Sequence, residues 1–331
     1  VVQDENAVKP FYTENEIKLS INDKSESLIK AEGKVIFNGS GKLELYSRQK
    51  HAVEAEQVII AGGNLIIDSD KNGISCGSLF FYGGNLEIKS LNNAVKAKYN
   101  INIYGGLMNI NANNKGISAD NNITVDNGYV VLNNAIEGIT SSDIVINNGY
   151  FFINSSDDCI NAQNQFVINN GMVSLNSRAG DAIDSNGTLI INGGIIIAAG
   201  AASPECGLDS NDNPLIINGG FVIATGGSTS LPSPDSLQNI LILKDAKKSL
   251  KNINLKIGEI DILNYYSSVN FETLVFSSPD LLSNAEIIVN NAGYMDSETE
   301  FFGVKFGLIN DNVSQYGKIK INSNIENIII Q

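Results

Sequence analysis

Acidic side chains between residues 137 and 209 have the types and spacing of a cation-binding site. Asp158 and Asp181 are 23 residues apart, and Asp184 and Asp209 are 25 apart. Calcium prefers about six to eight oxygen ligands from carboxylates, carbonyls and amides. We therefore expect these four aspartates to bind calcium if the fold brings them together. The alternative interpretation is that Asp simply favours turns.

Further residues extend this prediction. The calcium site is expected to include three flanking residues, Asp157, Glu137 and Asn161. A second and thinner candidate for a metal site pairs Asp120 with Asp143, which are predicted to lie one coil apart on the far side of the same strand. Turn chemistry explains that second pair equally well.

The string SSDDCINA at 155–162 is similar to an Asp-Asp-Cys step of polygalacturonase-like hydrolases. A glycoside hydrolase needs two carboxyl groups with separate roles, one of them the acid. The enzymes that this step resembles also carry a histidine flanked by glycines and an Arg-x-Lys strip for substrate. Here the only histidine, His51, is not flanked by glycines, and Arg178 begins no such strip. The one Arg-x-Lys, Arg48-Gln49-Lys50, lies several repeats before Asp157 and Asp158. The sequence therefore does not favour hydrolysis.

A polysaccharide lyase would need a basic group beside calcium to remove the proton next to a uronate carboxylate. Arg178 lies three residues before Asp181 and is a candidate for that role. An arginine in an acidic patch more commonly forms an ion pair, here with Asp157 or Asp158. Arg178 is therefore kept as a sugar-binding candidate, and a calcium-dependent lyase stays an alternative function.

Aromatic residues form two groups that are predicted to point outward. Tyr82 and Tyr104 are 22 residues apart and offer flat surfaces on which sugar rings can stack. Tyr129 and Tyr150 begin a second stripe. That stripe continues into apolar residues of later repeats, namely Met172, Ile195 and Phe221. Because so apolar a stripe should be covered, we expect the C-terminal segment to cover it.

Glycines at nearly constant spacing indicate the elements that position these residues. The successive spacings are 21, 22, 22, 21, 22, 23 and 26 residues. The glycines, each preceded by Gly or Asn, are Gly63, Gly84, Gly106, Gly128, Gly149, Gly171, Gly194 and Gly220. A period of this length is typical of solenoids, in which each repeat is one supersecondary unit.

Each repeat contains three short segments in which apolar residues alternate with polar ones. One apolar column, for example, holds Ile139, Ile160, Ile183 and Leu208. A period of two places such side chains on the inner face of β-strands. Stacked coils of about 22 residues then bury a continuous core, so the fold class is all-β, a parallel β-helix of about nine coils. Stacking spaces equivalent residues about 4.8 Å apart and turns columns into stripes.

The repeat divides the chain into three segments. Residues 1–40 are predicted to form an N-terminal cap and first coil, and 41–240 the parallel β-helix. The period is lost after about residue 228, and we expect 241–331 to be a C-terminal β segment that packs on the helix or caps it. A column of asparagines is predicted to form a structural amide ladder, and it comprises Asn147, Asn169, Asn192 and Asn218.

Composition limits the partners of the protein. The net charge of −14 argues against nucleic acid, which is bound through clustered Lys and Arg. An acidic protein that binds an acidic polymer needs a cation between the two. The three cysteines are an odd number, so no disulfide framework covers them all. No run of eighteen apolar residues occurs, and we expect no membrane insertion. The acidic surface suits a secreted or cell-surface protein whose signal peptide has been removed.

The coils resemble a bacterial extracellular family of carbohydrate-binding domain-containing proteins. Its repeats are similar to GDAIDSNGTLIINGG (180–194), KGISADNNITVDNG (115–128) and CGLDSNDNPLIINGG (206–220). The later segments TGGSTSLPSPDSLQNILI, FSSPDL and GKIKINSNIENIII are also similar. The resemblance implies a right-handed β-helix like that of calcium-dependent polysaccharide lyases, with bound calcium and affinity for cellulose-like or pectic polymers. The early coils HAVEAEQ (51–57) and NAVKAKY (93–99) lack the acidic residue, which places the metal in the later coils.

These observations predict a non-catalytic, calcium-binding protein that binds a plant cell-wall polysaccharide, either pectin (polygalacturonic acid) or cellulose. A calcium-dependent pectate lyase and a purely structural surface or adhesion protein are the alternatives. The prediction favours binding because calcium ligands are present while a general base in a matched position is not.

Overall fold

The structure is a computed structural model that describes residues 2–4, 16–21, 26–245, 250–291, 295–301, 304–309 and 314–330. Every regular element within these ranges is a β-strand. With no helix there, these ranges contain no helical segment that could cross a membrane.

Twenty-four strands lie among the described residues up to Gly226. They are β1 (Val2–Asp4), β2 (Glu16–Ile21), β3 (Ile29–Phe37), β4 (Lys42–Ser47), β5 (Val53–Ile60), β6 (Asn64–Ser69), β7 (Ile74–Phe81), β8 (Asn85–Ser90), β9 (Val95–Ala97), β10 (Asn100–Ile103), β11 (Leu107–Ala112), β12 (Lys115–Ala119), β13 (Asn122–Val125), β14 (Tyr129–Asn134), β15 (Glu137–Ile146), β16 (Tyr150–Ser155), β17 (Ile160–Ile168), β18 (Met172–Ser177), β19 (Ile183–Ser185), β20 (Thr188–Ile191), β21 (Ile195–Ala199), β22 (Leu208–Asp209), β23 (Leu215–Ile217) and β24 (Phe221–Gly226).

These strands form two long sheets, in which equivalent strands of successive coils pair in register. The first sheet runs β1-β3-β5-β7-β10-β13-β15-β17-β19-β22, with β9, β12, β20 and β23 beside that path. The second begins β2-β4-β6-β8-β11-β14-β16-β18-β21-β24. Apart from β1, which is antiparallel to β3, neighbouring strands of these coils are parallel. The predicted all-β parallel β-helix of about nine coils, spaced by about 22 residues, is confirmed.

The three predicted apolar columns are distributed over these two sheets. Two columns lie on the first sheet, where β5, β7, β15 and β17 span both columns in a single strand. Elsewhere a break divides the coil into two strands, as in β19 and β20. The inward residues pack into one core along the helix, and Ile139, Ile160 and Ile183 are paired neighbours within it.

The turn glycines explain why the period is so regular. All eight have a positive φ, between 85° and 129°, a backbone conformation that residues with a Cβ rarely adopt. The next coil also leaves no room, since a Cβ at Gly84 would lie 2.6 Å from the carbonyl oxygen of Gly63. Both conditions recur once per coil, so glycine recurs with them.

In the part of the C-terminal segment that the structure describes, nine more strands follow the coils. They are β25 (Ile240–Asp245), β26 (Leu250–Ile257), β27 (Ile260–Phe271), β28 (Thr273–Ser277), β29 (Glu286–Asn291), β30 (Met295–Phe301), β31 (Val304–Ile309), β32 (Ser314–Lys320) and β33 (Ile325–Ile330). Strand β28 pairs antiparallel with both β24 and β25, and β33 pairs with β25, so the second sheet continues beyond the last coil. Strands β27-β26-β29-β32 form a separate antiparallel sheet.

This antiparallel sheet packs on the outer face of the last coils and builds a second core. Ile197 and Ile223 lie in that core, with Ile195 and Phe221 packed against it. The predicted cover over this part of the apolar stripe is therefore confirmed. It does not reach the earlier coils, where Tyr129 is 52% exposed and Tyr150 is 36% exposed. The expectation that the C-terminal segment covers the whole stripe was wrong for these two tyrosines.

Candidate functional site

Three strands of the first sheet bring the predicted calcium ligands together. Asn161 in β17 pairs with Asp184 in β19, and Asp184 pairs with Asp209 in β22. The three side chains alternate with the buried residues Ile160, Ile183 and Leu208 and so project outward. One stripe of the surface therefore carries an amide followed by two carboxylates.

A second stripe lies in the turns that precede these strands. The backbone N–H of Asp181 donates to Oδ1 of Asp158 at 2.9 Å, and the backbone N–H of Cys206 donates to Oδ1 of Asp181. Asn161 joins the two stripes, because its amide nitrogen donates to Oδ2 of Asp158 at 2.8 Å and to Oδ2 of Asp184 at 3.0 Å. The four predicted aspartates are thus part of one contiguous surface.

Glu205 belongs to the same surface, and the sequence analysis missed it. Its charge contributes to the raised pKa values of Asp181 and Asp184. The pKa of Glu205 is raised in turn by the charges of Asp157, Asp158 and Asp209. Glu205 lies three residues before the inward Leu208, as Asp157 lies three before Ile160. This shared offset was the signal that could have found it. We call the set the acidic cluster, and its members are Asp157, Asp158, Asp181, Asp184, Glu205 and Asp209.

Gly180 occupies the corresponding position in the intervening coil and keeps the cluster compact. A Cβ at Gly180 would lie 2.5 Å from Oδ1 of Asp157 and 2.6 Å from Oδ1 of Asp158. The two carboxylates therefore rest against the bare backbone of the next coil. An alanine at this position would displace them.

Burial and the repulsion between neighbouring carboxylates raise the pKa of four members of the cluster. Burial, together with the charges of Asp158, Asp209 and Glu205, raises the pKa of Asp181 to about 7, against the hydrogen bond from the Cys206 N–H. Burial likewise raises the pKa of Asp184 to about 7, with Asp158 and Asp209 adding to the shift. The pKa of Asp158 and that of Glu205 are also raised, in both cases mainly by burial.

The basic residues nearby do not neutralise the cluster. Lys115 forms a 2.6 Å salt bridge with Glu137, which ties up the carboxylate that we expected to help bind calcium. Arg178 donates to Oδ1 of Asn134 at 3.4 Å, so the expected ion pair with Asp157 or Asp158 is not formed. Across the ranges that the structure describes, no salt bridge involves a member of the cluster.

The donor set fits a hard divalent cation such as calcium. A carboxylate oxygen of Asp181, one of Asp209 and the Cys206 sulfur all lie within 4.8 Å of one another. Two ligands of one calcium ion lie within about 5 Å of each other, because each sits about 2.4 Å from the metal. Burial raises the pKa of the Cys206 thiol to about 12, and the sulfur contacts Ser228 Oγ at 2.9 Å. A neutral thiol in contact with a hydroxyl is a poor ligand for calcium, so the carboxylate oxygens of Asp181 and Asp209 are the candidate ligands.

Several of these oxygens are available to a metal. In Asp181, Asp184 and Asp209, hydrogen bonds from described residues reach only one oxygen each, namely Oδ1, Oδ2 and Oδ1. The second oxygen of each carboxylate is left without such a bond. Asp181 is 7% exposed, so its charged form has little water around it and needs a partner.

The outward tyrosines form two stacked pairs elsewhere on the helix. The ring centroids of Tyr82 and Tyr104 lie 4.7 Å apart with planes 11° from parallel, and those of Tyr129 and Tyr150 lie 4.6 Å apart at 5°. Parallel rings this close overlap face to face, since rings side by side in one plane need a wider separation. In each pair, one face of each ring is covered by the other ring. The two rings therefore do not form a continuous flat surface on which a sugar chain could stack.

Comparison with known proteins places these surfaces in context. The family model for carbohydrate-binding domain-containing proteins matches residues 3–177 and again residues 129–281. The chain belongs to this family. No curated protein and no solved structure matches the chain. Two overlapping matches within one carbohydrate-binding domain-containing chain agree with the internal repeat, because a model that fits one run of coils also fits a shifted run.

Both candidate surfaces of this carbohydrate-binding domain-containing protein lie within the matched residues. The first match contains both tyrosine pairs, and the second contains the whole acidic cluster. The second predicted metal site is less well supported. Asp143 pairs in register with Asn122, so Asp120 lies two residues before that register position on the neighbouring coil. A metal at that position stays a prediction.

Proposed function

We propose that this protein is a non-catalytic, secreted or cell-surface polysaccharide-binding protein that holds calcium at the acidic cluster. Membership of a carbohydrate-binding family supports a polysaccharide as the partner. The bound calcium then contributes the positive charge that an acidic polymer, such as polygalacturonate, requires on so acidic a protein.

The observation that carries this proposal is the set of six carboxylates that form no salt bridge with the residues that the structure describes. Two like charges 4 Å apart repel by about 1 kcal/mol in water and by more where water is excluded. A fold gains nothing from gathering such charges on three successive coils. A divalent cation with oxygen ligands converts the repulsion into coordination.

Asp181, Asp184 and Asp209 are the residues that we assign to the ion, because each has a carboxylate oxygen that no described residue uses. Asp157, which is exposed, and Glu205 lie at the rim of the cluster. The ion would supply a charged site to which a uronate carboxylate of the polymer binds. Asp158 and Asn161 are then positioning residues, since their hydrogen bonds join the two stripes.

The geometry gives little support to the enzymatic alternatives. Arg178, the candidate base of a lyase, is exposed and donates to Asn134 on the previous coils. His51, the only histidine, accepts a hydrogen bond from the backbone N–H of Asn72. Burial lowers the pKa of His51, so it is neutral and serves the fold. We therefore place binding ahead of catalysis in the proposal.

A sedimentation assay tests this function. The intact chain is mixed with insoluble cellulose and with gelled polygalacturonate, in calcium and in chelator, while ultraviolet absorbance is followed for unsaturated uronate products. We expect retention on polygalacturonate in calcium, its loss in chelator and no growth of absorbance. Growing absorbance would make the protein a lyase, and retention on neither polymer would leave a structural surface protein.

A further inference from the structure

One edge of the β-helix carries a column of turn residues with a single gap. The column consists of the residues that directly follow nine strands of the first sheet, whose ends are paired from one coil to the next. Its members are Asn38, Ala61, Tyr82, Tyr104, Asp126, Asn147, Asn169, Asn192 and Asn218. Ala61 is exposed and is the only one of these nine whose side chain ends at Cβ.

The later part of this column is closed by its own hydrogen bonds. Asn147 donates to Asp126 at 2.7 Å, and each following asparagine donates to the one before it at 2.8 Å. The predicted amide ladder is thus present and starts from Asp126. The side-chain amides hydrogen-bond to one another along the column, so this part of the edge has no gap between side chains.

At the other end the gap lies directly beside an aromatic face. Tyr104 covers one face of the Tyr82 ring. The opposite face is directed toward the coil of Ala61, and Tyr82 is 51% exposed. Two coil rises, about 9.6 Å, separate Asn38 from Tyr82. With only the Ala61 methyl group between them, one flat ring fits against the tyrosine.

The other tyrosine faces have larger neighbours. Tyr129 follows Leu107 in its own column, and Tyr150 precedes Met172. The free side of Tyr104 is directed toward Asp126. Among the four stacked tyrosines, Tyr82 is therefore the ring whose outer face adjoins a residue as small as alanine.

We propose that the gap at Ala61 binds one pyranose ring of a neutral polysaccharide, stacked on the free face of Tyr82. A pyranose whose hydroxyl groups are all equatorial presents only C–H groups on its two faces. Such a face complements the negative face of an aromatic ring, while the hydroxyls at the rim stay in water. This inference rests on the proposed polysaccharide-binding function and adds a second, metal-independent subsite to it.

The test fills the gap without disturbing the fold. Ala61→Tyr extends the stack by one ring, and because Asn38 follows, no new gap opens. Tyr82→Asn removes the aromatic face and also covers Tyr104, which Tyr82→Ala would leave free. Tyr129→Asn, in the other stack, removes the same surface area and is the matched control.

Binding of cellohexaose is measured by calorimetry on each intact variant, with and without chelator. We expect Ala61→Tyr and Tyr82→Asn each to weaken binding about tenfold or more, while Tyr129→Asn and chelator leave it unchanged. The melting temperature of Ala61→Tyr should not fall, which excludes misfolding as the cause.

Three outcomes would overturn the inference. Ala61→Tyr that binds cellohexaose like the wild type would show that the gap is not the subsite. Wild-type protein that binds polygalacturonate but not cellohexaose would remove the subsite and leave the proposed function intact. Wild-type protein that binds neither polymer would overturn the proposed function itself, and the subsite with it.

Discussion

The backbone N–H of Asp181 donates a 2.9 Å hydrogen bond to Oδ1 of Asp158 on the preceding coil. The same bond occurs in earlier coils, where the backbone N–H of Asn93 donates to Oδ1 of Asn72 at 3.3 Å and the backbone N–H of Lys115 donates to Oδ1 of Asn93 at 3.1 Å. A neutral amide is thus sufficient for this structural role. The carboxylates of Asp158 and Asp181 therefore add charge that the stacking of coils does not require.

Calcium should stabilise the folded protein through this charge. At a calcium concentration a hundred times Kd, binding to the native state alone contributes about 2.7 kcal/mol. We expect a clear rise in Tm for the wild type and almost none for Asp181→Asn with Asp184→Asn. Differential scanning calorimetry with added calcium or chelator measures both.

The matched control removes two exposed carboxylates outside the cluster, as Asp212→Asn with Asp280→Asn. This variant has the same net charge as the cluster variant and should keep the full calcium response. An equal loss of response in both variants would mean that calcium acts only by screening the net charge.

Without metal, the stability of the protein should fall as the pH rises toward neutrality. The folded pKa values of Asp181 and Asp184, about 7, lie above the ordinary value of 3.8. The folded chain therefore binds more protons than the unfolded chain between these values, and the stability that these groups contribute at low pH is lost as the pH passes 7.

Melting curves in chelator between pH 4.5 and 8 measure this loss. Calcium should reduce it, and Asp181→Asn with Asp184→Asn should remove it, because neither amide titrates. A Tm in chelator that is independent of pH across this interval would show that the two aspartates are not held in the environment that we describe.

The sequence predicts the coils well because every coil obeys the same local rules. Positive-φ glycines, alternating strands and inward columns recur within each repeat, and register follows from them, as for Asn161, Asp184 and Asp209. The order and direction of the C-terminal strands could not be predicted from the repeat. The antiparallel placement of β28 between β24 and β25 depends on contacts that no repeat specifies.

The site was predicted only in part, for physical reasons that differ by residue. Glu205 lies within the longest spacing of the repeat, the 26 residues from Gly194 to Gly220, so its alignment with Asp157 was obscured. Glu137 is paired in register with Lys115 on the neighbouring coil, so its carboxylate forms a salt bridge with that lysine. The tyrosine columns were found, but only ring orientation reveals that stacking covers a face of each ring.

Truncation of Ile223 tests the cover over the last coils. Ile223 is fully buried under the antiparallel sheet, and Ile223→Ala should cost about 2 to 4 kcal/mol. Val131 lies in the same column on an uncovered coil and is half-buried, so Val131→Ala should cost less than about 1 kcal/mol. Similar drops in Tm for the two variants would contradict the described packing.

The hydrogen bonds of the amide ladder should contribute additively to the free energy of unfolding. Asn169 takes part in two ladder hydrogen bonds, to Asn147 and from Asn192, whereas Asn218 has one, to Asn192. We expect Asn169→Ala to cost about 1 kcal/mol, near the lower end for two exposed bonds, and Asn218→Ala about half of that. Thermal denaturation of the two variants provides the comparison, and equal losses would indicate that the ladder bonds contribute nothing measurable.

The most direct test of the central proposal measures polygalacturonate binding as a function of calcium for the wild type and for Asp181→Asn with Asp184→Asn. The account predicts saturable binding of the wild type that rises with calcium and disappears in chelator. The variant, although folded and at least as stable without metal, should bind no better in calcium than in chelator. Equal calcium-dependent binding by both proteins would contradict the assignment of the acidic cluster as the calcium and polysaccharide site.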